Sequence, residues 1–410
     1  MTVRNDADKI MKAALNAALP DTAVKKALGE LPAFSGRLIL VAAGKAAWQM
    51  AAAAYKELGS RVDRGIVITK HGHAMGSIGD LLIREAGHPV PDASSYSSTQ
   101  EAIDMVRSLT GEDLVLFLLS GGGSALFEKP LIPTEEMDDI TRQLLACGAD
   151  IVEINTLRKR LSAVKGGKFA QLCAPARVFS VVLSDILGDP LDMIASGPAH
   201  PDSSTAEQAK AILSKYKLQV SEKVHQLMDV ETPKALDNVT TKITGSVRQL
   251  CAAASETAAA LGYEPVVLSA SLRCEAREAG SFLASIAQYH ESTDKSIAFI
   301  AGGETVVHLT GHGKGGRNQE IALAAAKDIA GMRDTVVFSL GSDGTDGPTD
   351  AAGGIVSGET AAVLAAKGIS IDAVLQDNDA YHALKAADGL IFTGPTGTNV
   401  NDLTCLLIKR

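Results

Sequence analysis

A glycine and a lysine follow the first strongly apolar run of this sequence. The segment VAAGKAAWQM places Gly44 and Lys45 between that run and a helical pattern. A helix N-terminus attracts anions through its free N–H groups and its dipole, so a lysine there is unfavourable unless it meets an anion. Lys45 therefore indicates a phosphate or carboxylate ligand, and the alternative is an exposed lysine in a turn.

Three consecutive glycines flanked by serines follow the most apolar run, in FLLSGGGSALFEKP. Such glycines let backbone N–H groups approach an anion closely, and a flexible turn is the alternative. The G-x-S-x-G pattern of serine hydrolases is not met, which disfavours a serine nucleophile. We predict that this cluster binds the nucleotide. Its members are Ser120, Gly121, Gly122, Gly123 and Ser124.

Aspartates follow two later apolar runs, in VVLSDILGDPLDMIASGP and SLGSDGTDGPTDAAGG. Carboxylates at strand ends can bind Mg²⁺ or act as a general base, although a single aspartate can also simply cap a helix. The spacing does not fit a calcium-binding EF-hand. We predict Asp185 and Asp189 as catalytic groups and metal ligands, and Asp343 as a further metal ligand.

The segment LTGHGKGGRNQEIALAAAK, residues 309–327, allows two interpretations. Its glycines fit the dinucleotide fingerprint G-x-G-x-x-G, but the next acidic strand end lies much further along than the about 20 residues which that fold requires. Cations flank the glycines, as in a loop around a polyphosphate, and Arg317 offers a fork for a transferred phosphoryl group. The phosphate interpretation is favoured. Its predicted nucleotide contacts are Gly313, Lys314, Gly315 and Gly316.

A basic stretch, INTLRKRLSAVKGGKFA, lies between the serine-glycine cluster and the first aspartates. Spacings of three or four residues group some of its cations on one helix face. Two interpretations stay open for them. They form a solvated basic face, or one or two of them line an anion-binding cleft.

The elements that position these groups alternate between apolar runs and helical patterns. Helical patterns cover residues 46–58, 247–261 and 318–330. Near-continuous apolar strands between helices predict a doubly wound α/β architecture, in which ligands bind beyond the carboxyl ends of the strands. Residues 296–311 predict a β-hairpin and hence a mixed sheet in the second domain. The predicted strands are 37–44, 65–70, 113–121, 177–185, 264–270, 296–303, 306–311, 335–343 and 390–394.

Length and composition predict a protein of two domains. The chain has 410 residues, and a more polar stretch at 215–245 suggests a boundary near 235, giving domains 1–235 and 236–410. The net charge of −9 argues against nonspecific nucleic-acid binding. The N-terminus reads as an amphipathic helix, the apolar runs are too short to span a membrane, and the five cysteines are scattered. We therefore expect a cytoplasmic protein with neither a membrane nor a nucleic-acid partner.

Seven segments in order resemble the glycerate 2-kinases of the MOFRL type, which combine a DUF4147 domain with a MOFRL domain. The resemblance extends over about residues 5–408. The segments that carry it are VAAGKAA, LLSGGGSALF, INTLRKRLSAVKGGKFA, SDILGDPLDMIASGP, GGETVVHLTGHGKGGRNQE, GSDGTDGPTDAAG and TGTNVNDL.

This resemblance implies a larger Rossmann-like N-terminal domain and a smaller α/β C-terminal domain, with the active site in the cleft between them. It implies ATP-dependent phosphorylation of the 2-hydroxyl of D-glycerate, with Mg²⁺ or another divalent cation, to give 2-phosphoglycerate and ADP. Lys45 and Arg317 match the proposed catalytic cations of the family. A homodimer is compatible with the sequence.

Two other functions stay open at this point. Some relatives carry the label hydroxypyruvate reductase, an NAD(P)H-dependent activity that the misfit of the dinucleotide fingerprint disfavours. A nonenzymatic module that binds a sugar acid or a nucleotide would need only the pocket, and the many charged groups at strand ends disfavour it.

Overall fold

The computed structural model describes residues 2–184 and 191–410, in two compact units. The first unit comprises residues 23–184 and 191–244, and the second comprises residues 2–22 and 245–410. Asp185 and Asp189 lie outside the described residues. Among the helices described, none is long and apolar enough to cross a membrane. The chain begins with the helices α1 (Val3–Ala18) and α2 (Pro20–Leu28).

The first unit is built on a parallel six-stranded sheet with the order β3-β2-β1-β4-β5-β6. This is the strand order of a Rossmann fold, as predicted. The two central strands, β1 and β4, are fully buried because every side chain along them is apolar. Its strands are β1 (Leu38–Ala43), β2 (Arg64–Lys70), β3 (Leu82–Ala86), β4 (Leu114–Leu119), β5 (Arg177–Val182) and β6 (Val239–Ile243).

Helices lie between consecutive strands of this sheet, except between β2 and β3, which residues 71–81 connect without a helix. The first of them begins at Ala47, close to the predicted start of the pattern at residue 46. The helices are α3 (Ala47–Leu58), α4 (Ala93–Val106), α5 (Gly123–Leu126), α6 (Thr134–Ala146), α7 (Ile151–Leu161), α8 (Lys168–Cys173), α9 (Ala206–Tyr216) and α10 (Glu222–Asp229).

The second unit contains a mixed six-stranded sheet with the order β11-β10-β9-β12-β8-β7, which confirms the predicted mixed character. Only β7 and β8 pair in parallel, and the other neighbours are antiparallel. Its strands are β7 (Glu264–Leu272), β8 (Ile297–Gly303), β9 (Thr335–Gly341), β10 (Gly353–Ser357), β11 (Leu390–Ile391) and β12 (Asp402–Ile408).

The predicted hairpin over residues 296–311 was wrong. β8 pairs with β7 and with β12, so both of its edges are occupied and a following arm has no place beside it. Residues 307–311 are not a strand, and Val306 makes only an isolated bridge with Glu275. The helices of this part are α11 (Val247–Ala260), α12 (Ala276–Tyr289), α13 (Arg317–Asp328), α14 (Thr360–Ala366), α15 (Ile371–Gln376) and α16 (Ala380–Ala386).

The N-terminal helix belongs to the second unit, although it starts the chain. α1 packs against α11, and its buried Asp6 accepts hydrogen bonds from the Tyr263 hydroxyl at 3.0 Å and the Lys409 ammonium at 2.5 Å. Burial raises the pKa of Asp6, but these two partners outweigh burial and hold it below its usual value. β6, which lies beyond residue 235, belongs to the first sheet.

Candidate functional site

The first sheet brings Lys45 and the serine-glycine cluster together at one point. β1 and β4 are adjacent parallel strands with Ala43 opposite Leu119, so the loops that follow them leave the sheet side by side. The Lys45 N–H donates to the Gly121 carbonyl at 2.8 Å, and the Ala46 N–H donates to the Ser120 Oγ at 3.0 Å. Strand order reverses between β1 and β4, and such a switch point is where open α/β sheets bind ligands.

Close packing of the two loops explains a glycine at position 44. Gly44 has a φ of +129°, and a Cβ there would lie 2.2 Å from the Ser120 Oγ. Ser120 is buried and holds the backbone just before α3. Ser120 therefore fixes the position of the backbone at Lys45. A direct contact between Ser120 and a nucleotide stays a prediction.

The three-glycine loop presents backbone donors at this switch point. In the described part of the chain, the N–H groups of Gly121 and Gly122 donate to no protein acceptor. Gly122 has a φ of +84°, which favours glycine there. The backbone of Ser124 is fixed by a hydrogen bond, in which its carbonyl accepts from the buried Lys165 ammonium at 2.8 Å. The loop can thus offer two N–H groups to an anion, which is the property predicted for it.

A histidine that the sequence analysis missed lies against this loop. His88 follows the edge strand β3, and its Cδ2 and Nε2 lie 3.0 and 3.1 Å from the place where a Cβ of Gly122 would be. The Lys45 Cγ is 3.0 Å from the same place. The His88 imidazole, the Lys45 stem and the glycine loop therefore meet. β3 carries polar residues in the sequence LIREA, so no apolar run announced it.

Positive charge dominates this edge of the first sheet. Lys45 follows β1, and Lys70 ends β2. Among the described residues no carboxylate pairs with the Lys45 ammonium, whereas His71 is paired with Asp92 at 2.8 Å. An unpaired ammonium beside open N–H groups can bind and neutralise a phosphate or carboxylate.

Most of the basic stretch is buried and bound internally, which contradicts the first of its two open interpretations, a solvated basic face. The Lys168 ammonium donates to the carbonyls of Lys159, Arg160 and Ser162 at 3.0, 3.1 and 2.7 Å, which caps the C-terminal end of α7. Burial lowers the pKa of Lys165 and Lys168 to about 8. Four of these cations therefore have structural partners, namely Lys159, Arg160, Lys165 and Lys168.

Arg158 differs from its neighbours in that stretch. Within the described residues none of its guanidinium nitrogens has a hydrogen-bond or ion-pair partner, and its Nε is buried, whereas the Nη atoms of Arg160 are bound. Buried donors are nearly always paired in folded proteins, so this one calls for a partner outside the described residues. Arg158 is the member of the stretch that fits the alternative interpretation, an anion ligand.

The second unit contains a cavity of about 850 Å³ beside the other glycine loop. Its walls include exposed apolar side chains, Val306 and Leu309, and the buried Thr305, whose hydroxyl has no partner among the described residues. Ligand sites commonly measure about 300–1,000 Å³ and combine apolar walls with a few polar groups. The glycine loop at residues 311–316 and Arg317 also line this cavity.

The backbone donors of that loop are largely bound within the protein. The N–H groups of Gly313 and Lys314 donate to the Asp377 carbonyl at 2.8 Å and the Asp379 carboxylate at 2.9 Å. The N–H groups of Gly311 and His312 likewise donate to residues 377–378. The predicted nucleotide contacts of residues 313–316 stay a prediction, and Gly315 and Gly316 are the members whose N–H groups have no protein acceptor in the described chain.

An internal carboxylate occupies the start of α13. Asp346 accepts from the backbone N–H groups of Asn318 at 3.2 Å and Gln319 at 2.9 Å. Burial raises the pKa of Asp346 to about 6, although those N–H groups oppose the shift. A phosphate placed at this helix N-terminus would compete with Asp346 for the same donors.

Arg317 is bound by two carboxylates. Its Nε and Nη2 donate to Asp402 at 2.5 and 3.0 Å, and its Nη1 lies 3.2 Å from Glu304. Burial lowers the pKa of Arg317, but the hydrogen bonds and charge of Asp402 outweigh burial and raise it overall. Burial raises the pKa of Asp402 even beside Arg317. The guanidinium is thus held in one orientation at the cavity wall.

Asp343 is the predicted metal ligand that the structure describes. It is half-buried, and its Oδ1 accepts the Thr345 N–H at 3.0 Å. Within residues 2–184 and 191–410, no three His, Cys, Asp or Glu residues form a metal-binding group. Asp185 and Asp189 lie in the undescribed gap, so the metal site stays a prediction.

Two family descriptions and several relatives match this chain. Residues 6–229 match the domain of unknown function DUF4147, and residues 297–402 match the MOFRL family. D-glycerate 2-kinase of Thermotoga maritima is 52% identical over 98% of this chain and 97% of its own length. Glycerate 2-kinase of Pyrococcus horikoshii is 37% identical over 100% and 98%. The chain belongs to the glycerate kinase family.

Family membership confirms that the chain is an enzyme of the glycerate kinase class. A crystal structure of glycerate kinase from Thermotoga maritima matches with a TM-score of 0.94 at 51% identity, covering 99% of both chains. One glycerate kinase relative, from Agrobacterium vitis, is named putative hydroxypyruvate reductase and is 40% identical over 91% of this chain and 100% of its own.

Proposed function

We propose that the protein transfers the γ-phosphoryl group of ATP to the 2-hydroxyl of D-glycerate, giving 2-phosphoglycerate and ADP. The observation that carries the proposal is the Lys45 ammonium, which has no partner among the described residues, beside the N–H groups of Gly121 and Gly122, which have no acceptor there. Phosphoryl transfer depends mainly on positioning and on neutralising charge, and these groups supply both.

At the first sheet, the glycine N–H groups bind anionic oxygens of the substrates. Lys45 neutralises charge on the transferred phosphoryl group, and its backbone is fixed by the Gly121 carbonyl, which keeps the side chain at the switch point. A compact ammonium suits this task because it can follow the moving charge as a point cation.

In the second unit, the cavity beside residues 311–316 suits the nucleotide. Its volume far exceeds what a three-carbon acid needs, and its apolar wall offers a face for a base. Arg317 at the cavity wall provides the second cation for the phosphoryl group. Asp402 and Glu304 hold the guanidinium in place, which favours a fixed bidentate contact.

A divalent cation fits these residues in a limited way. Mg²⁺ commonly binds through one or two carboxylates together with substrate phosphates and waters. Asp343 would supply one such carboxylate. When bound, the cation would supply positive charge that neutralises the phosphates. Asp185 and Asp189 remain proposed as its other ligands.

The experiment that tests this function combines two assays on one purified protein. D-glycerate, ATP and Mg²⁺ are mixed and the product is identified by ³¹P NMR, while NADH and hydroxypyruvate are followed by absorbance in parallel. We expect a 2-phosphoglycerate signal and no oxidation of NADH. A 3-phosphoglycerate product would overturn the assignment of the 2-hydroxyl. NADH oxidation without a phosphorylated product would instead favour the reductase.

A further inference from the structure

His88 lies where the segments that follow three strands of the first sheet come into contact. It follows β3, while Lys45 follows β1 and Gly122 follows β4. The side chains of His88 and Lys45 both approach to about 3 Å from the position that a Cβ of Gly122 would take. Within the described residues neither ring nitrogen of His88 has a hydrogen-bond partner. A half-buried imidazole with both nitrogens available, beside an anion-binding loop, is placed to contact a ligand.

The groups that face His88 keep its imidazole neutral. Burial lowers the pKa of His88, and the charges of Lys45, Lys70 and His73 lower it further. Asp92, the carboxylate at the start of the following helix α4, is engaged by His71 and by the Ser95 N–H at 2.9 Å. A neutral imidazole carries one nitrogen that accepts a proton at physiological pH.

The neighbouring histidines are engaged elsewhere. His71 Nε2 is paired with Asp92 at 2.8 Å, and His73 Nδ1 faces the Lys45 carbonyl at 3.4 Å. His88 is therefore the histidine of this edge whose ring is free for a substrate among the described residues.

We infer that His88 contacts the acceptor hydroxyl of the hydroxy acid and takes its proton during transfer, an assignment that rests on the proposed function. As the hydroxyl oxygen forms its bond to the γ-phosphorus, the bond from that phosphorus to the bridging oxygen breaks and ADP leaves with the electron pair. The hydroxyl proton moves to the imidazole nitrogen. Lys45 disfavours the resulting imidazolium, so His88 returns the proton to solvent and is ready for the next turnover.

The test compares His88→Gln with His225→Gln, a histidine exposed on α10. Initial rates with D-glycerate and ATP are measured from pH 5 to 9, and thermal unfolding is checked for both. We expect His88→Gln to lower kcat by on the order of 10²-fold, as for a lost general base, and to abolish the acid limb of the kcat profile. The KM for ATP should change little, and His225→Gln should match the wild type.

Two further readouts make the result decisive. Free imidazole should restore part of the activity of His88→Ala. The acid limb of the wild type should also show the large ionisation enthalpy of an imidazole rather than the near-zero value of a carboxylate, a measurement that needs no variant. A carboxylate-like enthalpy, or an unchanged acid limb in His88→Gln, would overturn the assignment. A wild type that phosphorylates no glycerate at all would instead overturn the proposed function.

Discussion

Two glycine-rich loops in this chain carry the same sequence signal but differ in structure. At residues 121–123, two N–H groups have no protein acceptor within the described chain, and Gly122 lies against the side chains of His88 and Lys45. In the second loop, the N–H groups of residues 311–314 donate within the protein and the glycines let backbone pack against backbone, whereas the N–H groups of Gly315 and Gly316 have no acceptor in the described chain. A Cβ on Gly311 would lie 2.3 Å from the Asp377 Cα. Glycines thus mark close approach, and only the partners of their N–H groups distinguish a ligand cradle from tight internal packing.

The largest effect should come from the cation at the open loop. Lys45→Ala removes from the switch point an ammonium that has no partner among the described residues, so we expect kcat to fall on the order of 10²-fold or more with little change in stability. Steady-state rates and chemical unfolding measure both quantities, with the exposed Lys56→Ala on α3 as the matched control. Near-normal turnover of Lys45→Ala would exclude Lys45 from the mechanism and weaken the case for the first loop.

Arg317→Ala tests the cation of the second unit and should change two quantities together. We expect a loss of kcat on the order of 10²-fold and, in contrast to Lys45→Ala, a loss of about 1–3 kcal/mol in unfolding free energy. The second loss arises because the buried Asp402 carboxyl group loses its hydrogen-bonding and charge partner. The double variant Arg317→Ala with Asp402→Asn is expected to regain stability but not activity. If stability falls while kcat stays near normal, Arg317 has only a structural role.

Exchanging one glycine in each loop compares them directly. Gly311→Ala places a Cβ against the backbone of Asp377, so it should lower the melting temperature and leave the KM values of the folded fraction unchanged. Gly122→Ala meets side chains that can yield, at 3.0 Å, and costs about 1–2 kcal/mol for its positive φ. Its main effect should be on kcat. The reverse pattern would show that the roles of the loops are exchanged.

The smallest effect concerns the carboxylate that closes the start of α13. Folding raises the pKa of Asp346 from 3.8 to about 6, so its protonated form favours the folded state. This contribution is complete below pH 4 and is lost as the pH rises through 6, on the order of 1–3 kcal/mol. Urea unfolding at pH 4, 5, 6 and 7 should show a steeper decline for the wild type than for Asp346→Asn. Parallel profiles would mean that Asp346 titrates normally.

Apolar runs predicted the switch point with Lys45, the central strands β1 and β4 of the first sheet and β9 of the second, because a strand buried on both faces must be continuously apolar. They did not predict β12, the other central strand of the second sheet, or its neighbour β10. β3 and β6 were not predicted because edge strands tolerate polar residues. His88 was missed because it follows the unpredicted β3. The hairpin prediction failed because sequence alone does not reveal that β12, from the end of the chain, occupies the edge of β8. The internal partners of Arg317 and of residues 311–314 are equally distant in sequence, so no local pattern indicates them.

The pairing of α1 with α11 has a consequence for biosynthesis. α1 is made first, but Tyr263 and Lys409, which fix its buried Asp6, are made much later. Residues 23–244, which contain the whole first sheet, are synthesised before any of these partners. The first unit can therefore complete its fold while the apolar face of the amphipathic helix α1 is still uncovered. The second unit closes only when the last strand of the chain is released.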